Sequence, residues 1–164
     1  MVITEKVTPI PLPEKGQDLA DVPEGKAVIP GWGWGIYLEL SSSLRHLLIP
    51  LVNNSECKKE YEQHDHRPSV DDNMLCTGGA KWTGNVCDGD SGGALAVTDA
   101  ETGDIYAAGI LSYDRCCTTQ PYAVYMKLSS YLPWIHKVIR GDTEKSFAVR
   151  SQAMSTLFSW QPGN

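Results

Sequence analysis

The chain has 164 residues, 41% hydrophobic and 21% charged, and fourteen basic against twenty acidic side chains leave a formal charge of −6. That length fits one domain or part of a larger one, and five Trp, seven Tyr and an ordinary aliphatic content exclude a disordered acidic tail. Negative charge without a basic run argues against nucleic acid as a partner, and no apolar stretch approaches the ~18 residues of a membrane span.

Fifteen Gly and ten Pro, scattered rather than repeated, point to short strands joined by many turns. Residues 1–25 contain Thr8-Pro9-Ile10-Pro11-Leu12-Pro13, which excludes a helix or a central strand and predicts an extended strap over a surface. Lys26–Ile29 reads as a short strand broken by Pro30-Gly31-Trp32-Gly33. A second strand is expected over Leu44–Val52, with Leu47, Ile49 and Leu51 on one face and His46 and Leu48 on the other. Ser55 is placed to cap a short helix from Glu56 to Gln63, ahead of the polar loop 64–68.

Ala94–Val97 and Ile105–Tyr113 form a hairpin through the turn at 98–104, and Ala123–Leu128 adds another strand. Near the end, Ser130 is expected to cap a helix carrying Pro133 in its first turn and an apolar stripe of Trp134, Ile135, Val138 and Ile139. Gly141 would stop it, so Arg140-Gly141-Asp142 reads as a helix end rather than an adhesion tripeptide. Residues 142–164 read as a polar, disordered tail. The expected fold class is all-β, a small antiparallel barrel with a C-terminal α-helix.

The cysteines are Cys57, Cys76, Cys87, Cys116 and Cys117, an odd set that points outside the cytosol and leaves one thiol over. Asn53-Asn54-Ser55 is an N-glycosylation sequon, relevant if the chain is secreted. The Met1–Lys6 terminus lacks the basic start and apolar core of a signal peptide, so an earlier segment is expected upstream.

Chemistry concentrates in Cys87-Asp88-Gly89-Asp90-Ser91-Gly92-Gly93. Glycines around a serine let a tight turn expose its hydroxyl and let a substrate carbonyl approach the bare backbone. The N–H groups of Gly89 and Ser91 would then face one concavity, where they could hold a developing oxyanion. His64-Asp65-His66 offers two imidazoles without a convincing third ligand, so no metal and no cofactor is expected.

That segment resembles the nucleophile motif of the trypsin-like (chymotrypsin-family) serine proteases. Gly31-Trp32-Gly33, Asp72-Asn73-Met74-Leu75-Cys76-Thr77-Gly78-Gly79, Ala107–Tyr113, Tyr125-Met126-Lys127 and Tyr131-Leu132-Pro133-Trp134-Ile135 resemble further family motifs, in family order. The resemblance implies the second Greek-key barrel of a trypsin-like double barrel over residues 1–140, with the N-terminal barrel absent from this chain. It implies Ser91 as nucleophile, Gly89 and Ser91 as the oxyanion hole, Asp90 as the acid that pairs with a new N-terminus in activated relatives, and Asn85, Ser112, Tyr113, Asp114 and Ala123 as substrate-binding positions. Bridges Cys57–Cys76 and Cys87–Cys117 follow from it, with Cys87–Cys116 as the other pairing. So do secretion and a protein substrate or protein ligand; given secretion, the sequon makes Asn53 a glycosylation site.

Within the family the chain looks most like the complement-type proteases and the haptoglobins. Three departures stand out. The family's His and Asp precede the serine in a region before Met1, and without an imidazole a serine hydroxyl is a poor nucleophile. Asn85 occupies the place of the Asp at the specificity-pocket floor, where a buried substrate cation needs a countercharge. Asp114 and Ala123 stand where glycines keep the pocket open, which reads equally as degraded or as altered specificity. Ser91, by contrast, is retained where the haptoglobins carry another residue. Two functions follow: a secreted serine endopeptidase of which this is the C-terminal portion, inactive alone, or a non-catalytic homologue that binds a protein partner.

Overall fold

A computed structural model describes residues 3–14, 17, 26–34, 39–63, 69–78, 86–113 and 122–141. The chain divides into two compact units, Met1–Ser130 and Tyr131–Asn164. In the first, six strands form a closed antiparallel barrel: β1 (Lys26–Gly31), β2 (Arg45–Val52), β3 (Met74–Gly78), β4 (Ala94–Thr98), β5 (Ile105–Tyr113) and β6 (Tyr122–Lys127). Around the barrel they run β1-β2-β3-β6-β5-β4, and β1 closes the ring by pairing with both β2 and β4. The antiparallel barrel expected from the sequence is present.

The alternation expected in β2 holds. Ile49 and Leu51 enter the barrel core and Leu47 packs against it, whereas Leu48 faces solvent. Ala27, Ile29, Leu75, Leu95, Val97 and Tyr125 complete most of that interior. In β5 the period of two breaks, because Ala107 and Ala108 together stand opposite Ala96 and a second irregularity falls between Leu111 and Tyr113. Two residues against one is a β-bulge, which turns the strand and re-aims its groups. The first bulge leaves the Ala107 N–H free of β4, and it donates to Pro11 O at 2.9 Å. The described part of the N-terminal strap thus meets the barrel at Pro11, with Pro13 buried.

β1 runs on through Pro30 and Gly31 instead of breaking before them. β4 has already left β1 after Val28, while β2 still pairs there through Pro30↔His46 and Gly31↔Arg45. Proline is tolerated on such a one-sided stretch of strand.

Helix α1 spans Asn54–Glu62 and is capped by Asn53, not Ser55; Asn53 Oδ1 accepts from the Ser55 N–H at 2.8 Å. The chain turns into the helix as soon as β2 ends at Val52, which puts the capping position two residues earlier than the serine. α1 covers the barrel from outside, where Cys57, Tyr61, Val70, Cys76 and Val124 form a second buried cluster. Cys57 and Cys76 are disulfide-bonded there, as the family resemblance implied.

Helix α2 spans Leu128–Ile139 and starts directly from β6, so Ser130 and Pro133 lie inside it rather than at its cap and first turn. Gly141 takes φ +77° after its last turn, as a helix stop requires. His64, His66, Cys116, Cys117 and the tail from 142 lie outside the described residues, as do Asn85 and Asp114.

Candidate functional site

Two consecutive tight turns carry the serine. Asp90 N–H donates to Cys87 O at 3.0 Å and Gly93 N–H donates to Asp90 O at 2.9 Å. Each turn places a glycine third, Gly89 at φ +95° and Gly92 at φ +84°. Positive φ there is what a type II turn demands and what a side chain resists. Positions 89 and 92, the third of each turn, therefore favour glycine for conformational reasons alone.

The second turn is stitched to β5. Gly92 N–H donates to Leu111 O and Leu111 N–H donates to Gly93 O, both at 2.9 Å. Directly beyond Leu111 the strand bulges at Ser112, which is exposed. Ser91 sits at the tip of the turn, exposed; its hydroxyl makes no hydrogen bond among the described residues.

A second segment fixes the orientation of the first turn. Trp34 N–H donates to Asp88 O at 3.0 Å. The carbonyl and N–H of one trans peptide point in opposite directions, so this bond turns the Gly89 N–H away from Trp34. Trp34 bridges Leu40 as an isolated antiparallel pair, and Ser41 N–H donates to Trp32 O at 3.2 Å, which ties residues 32–34 to residues 40–41. A side chain added at Gly89 would stand 3.2 Å from Gly33 Cα and 3.5 Å from Leu40 Cδ2, so the loop closes directly against the turn. Neither the Gly89 N–H nor the Ser91 N–H has a partner among the described residues. Two backbone N–H groups and the Ser91 hydroxyl are thus left without partners among the described residues around this turn.

Asp90 locks the two segments together. Its Oδ1 accepts from the Gly33 N–H at 2.8 Å and its Oδ2 from the Cys87 N–H at 3.1 Å. A Cβ added at Gly31 or at Gly33 would land on the Asp90 carboxylate. The Gly-Trp-Gly spacing is thereby explained: both glycines leave room for the acid 57 residues further on. The family resemblance suggested an N-terminal ammonium as the partner of Asp90; here its two oxygens are held by backbone N–H groups.

Other expected site residues sit as follows. Ala123 is fully buried in the barrel core, beside a buried hydrogen bond from Thr77 Oγ1 to Tyr125 Oη at 3.1 Å. Tyr113 turns its ring edge-on to Tyr61 with centroids 5.6 Å apart, and its hydroxyl reaches Met74 Sδ at 3.8 Å. Desolvation, aided by the charge of Asp71, raises the Tyr113 phenol above its ordinary pKa. Cys87 is disulfide-bonded. Asn53 is exposed at the head of α1. Trp34, Leu40 and the Cys87 N–H were not among the residues expected from sequence; the only local hint was a pair of glycines flanking Trp32.

A closed antiparallel barrel with a glycine-framed serine turn defines a class, that of the serine-protease-like barrels. Comparison with known proteins agrees: the trypsin family model matches residues 1–135, and the chain belongs to that family. It is 33% identical to haptoglobin of Bos taurus over 85% of this chain and 37% of that protein. It is likewise 33% identical to haptoglobin of Canis lupus familiaris, over 85% of this chain and 45% of the relative. Against the haptoglobin-related protein of Pan troglodytes the figures are 32%, 85% and 43%. The chain spans less than half the length of these relatives.

Proposed function

We propose that the chain is the C-terminal, nucleophile-bearing portion of a secreted serine endopeptidase acting on protein substrates, as in a complement-type cascade. The observation that carries this reading is the Ser91 turn itself. Its hydroxyl and the N–H groups of Gly89 and Ser91 are unspent, and the Trp34–Asp88 bond orients the peptide that bears one of them. Ser91 would attack the scissile carbonyl, and the two N–H groups would hold the oxygen as it becomes anionic. Proton removal from Ser91 is assigned to a His oriented by an Asp, both in the half of the family's architecture that this chain does not span. Asn85 and Asp114 would set a specificity different from cleavage after Arg or Lys alone.

A second reading is favoured by a separate observation. The matched relatives quoted above are haptoglobins and a haptoglobin-related protein, and Ala123 is buried in the core. On that reading the protease barrel holds a protein partner and cleaves nothing.

Ester hydrolysis separates the two. Residues 1–164 alone should hydrolyse a p-nitrophenyl ester no faster than the Ser91→Ala variant, because the base assigned to activate the hydroxyl is the family's upstream His. A polypeptide extended upstream to include the family's His and Asp should hydrolyse it in a Ser91-dependent way. An extended polypeptide with both residues and no such hydrolysis would leave the binding module as the function.

A further inference from the structure

We propose that Asn53 carries an N-linked oligosaccharide, on an amide whose two ends the fold has assigned to different tasks. Asn53-Asn54-Ser55 is followed by Glu56, so no proline blocks the sequon. Asn53 is exposed where β2 hands over to α1, with φ −61° and ψ 130°. Its Oδ1 accepts both from the Ser55 N–H and from the Ser55 hydroxyl, each at 2.8 Å. Its Nδ2 makes no hydrogen bond among the described residues. The oxygen caps the helix and the nitrogen is left to solvent.

Asn54 shows the contrast. Its Nδ2 donates to Asp71 O at 2.9 Å, and the residue two places on is Glu56, so it is neither free nor the acceptor position of a sequon.

In the transfer, Nδ2 of Asn53 forms a bond to the anomeric carbon of a lipid-pyrophosphate-linked oligosaccharide. The bond from that carbon to the phosphate oxygen breaks, the lipid pyrophosphate leaves with the bonding pair, and Nδ2 gives up one proton. The product is still an amide with Oδ1 intact, so the cap on α1 survives the modification. The nearby Cys57–Cys76 disulfide belongs to the oxidising compartment in which this chemistry operates. None of this depends on whether Ser91 is a working nucleophile.

The test is translation of the full chain behind a cleavable leader in the presence of endoplasmic-reticulum microsomes. A parallel Glu144→Asn chain, which creates a second sequon at 144–146, serves as control for import. The parent should gain a mobility shift that a peptide-N-glycosidase removes. Asn53→Asp and Ser55→Ala should abolish the shift, while Asn54→Asp and Ser55→Thr should retain it. Asp at position 53 keeps a capping oxygen, so Asn53→Asp should preserve the parent's helical circular dichroism and separate loss of sugar from loss of fold. A parent left unshifted in a preparation that modifies the control, or a shift that survives Asn53→Asp, overturns the proposal.

Discussion

The lock between Asp90 and the Gly31–Gly33 segment gives a quantitative prediction. Asp90→Ala removes the acceptors of two backbone N–H groups, those of Gly33 and Cys87. A hydrogen bond to a charged group is worth about 1.5–3 kcal/mol, but Asp90 is only half-buried and water can reach part of the gap. The expected loss is therefore about 2–4 kcal/mol, below the full sum of two such bonds. Gly33→Ala attacks the same contact from the other side, since its new methyl would land on the carboxylate. Overpacking of this kind costs about 1–3 kcal/mol.

The two changes should not add. Once Asp90 is alanine, the atoms nearest to the Gly33 methyl, Cγ, Oδ1 and Oδ2, are gone. In that background Gly33→Ala should cost almost nothing further, giving a coupling energy of about 1–3 kcal/mol. Urea denaturation of the four proteins, followed by circular dichroism at equal slope, measures it. Fully additive losses would show that the clash is relieved elsewhere. An Asp90→Ala chain as stable as the parent would refute the lock altogether.

Three further outcomes follow from particular contacts. Replacing Cys57 and Cys76 by Ala, which deletes the bridge that closes 19 residues, should lower stability by about 3 kcal/mol on the chain-entropy estimate, read as a drop in urea midpoint. Tyr125→Phe leaves the buried Thr77 hydroxyl without its acceptor and should cost about 1–3 kcal/mol, whereas adding Thr77→Val should recover part of that loss. Asp99 is held below its ordinary pKa first by the Thr102 N–H, then by the Gln17 side chain and the Glu101 N–H. A depressed folded-state pKa means stability present above the ordinary carboxylate value and lost as pH falls through the folded value. Acidification should therefore release the Gln17 contact that fastens the strap, seen as a lower protection factor (the intrinsic exchange rate at the same pH over the observed rate) for the Glu14 amide, whose N–H donates to Gln17 Oε1. The same acidification should do nothing in Asp99→Asn.

Much of this protein is written locally. The period-two pattern of Leu47, Ile49 and Leu51 settles which face of β2 is inside, because strand side chains alternate whatever the surroundings. Proline spacing predicts the strap, and the glycines around Ser91 predict a turn that exposes a hydroxyl, since both constrain φ residue by residue. The ordered motifs likewise identify the trypsin family and its Cys57–Cys76 bridge before any coordinates. Element ends were less legible: Asn53 displaces Ser55 as a cap, and β1 continues through Pro30, because a neighbouring strand decides each boundary. The β5 bulges were invisible for the same reason, as register exists only between two chains. What the tertiary structure alone decided is how the site is held. Asp90 reaches Gly33 across 57 residues, and Trp34 aims a peptide it does not belong to. The donors in both contacts are backbone N–H groups, which every residue but proline carries, so the sequence does not mark which of them will be engaged.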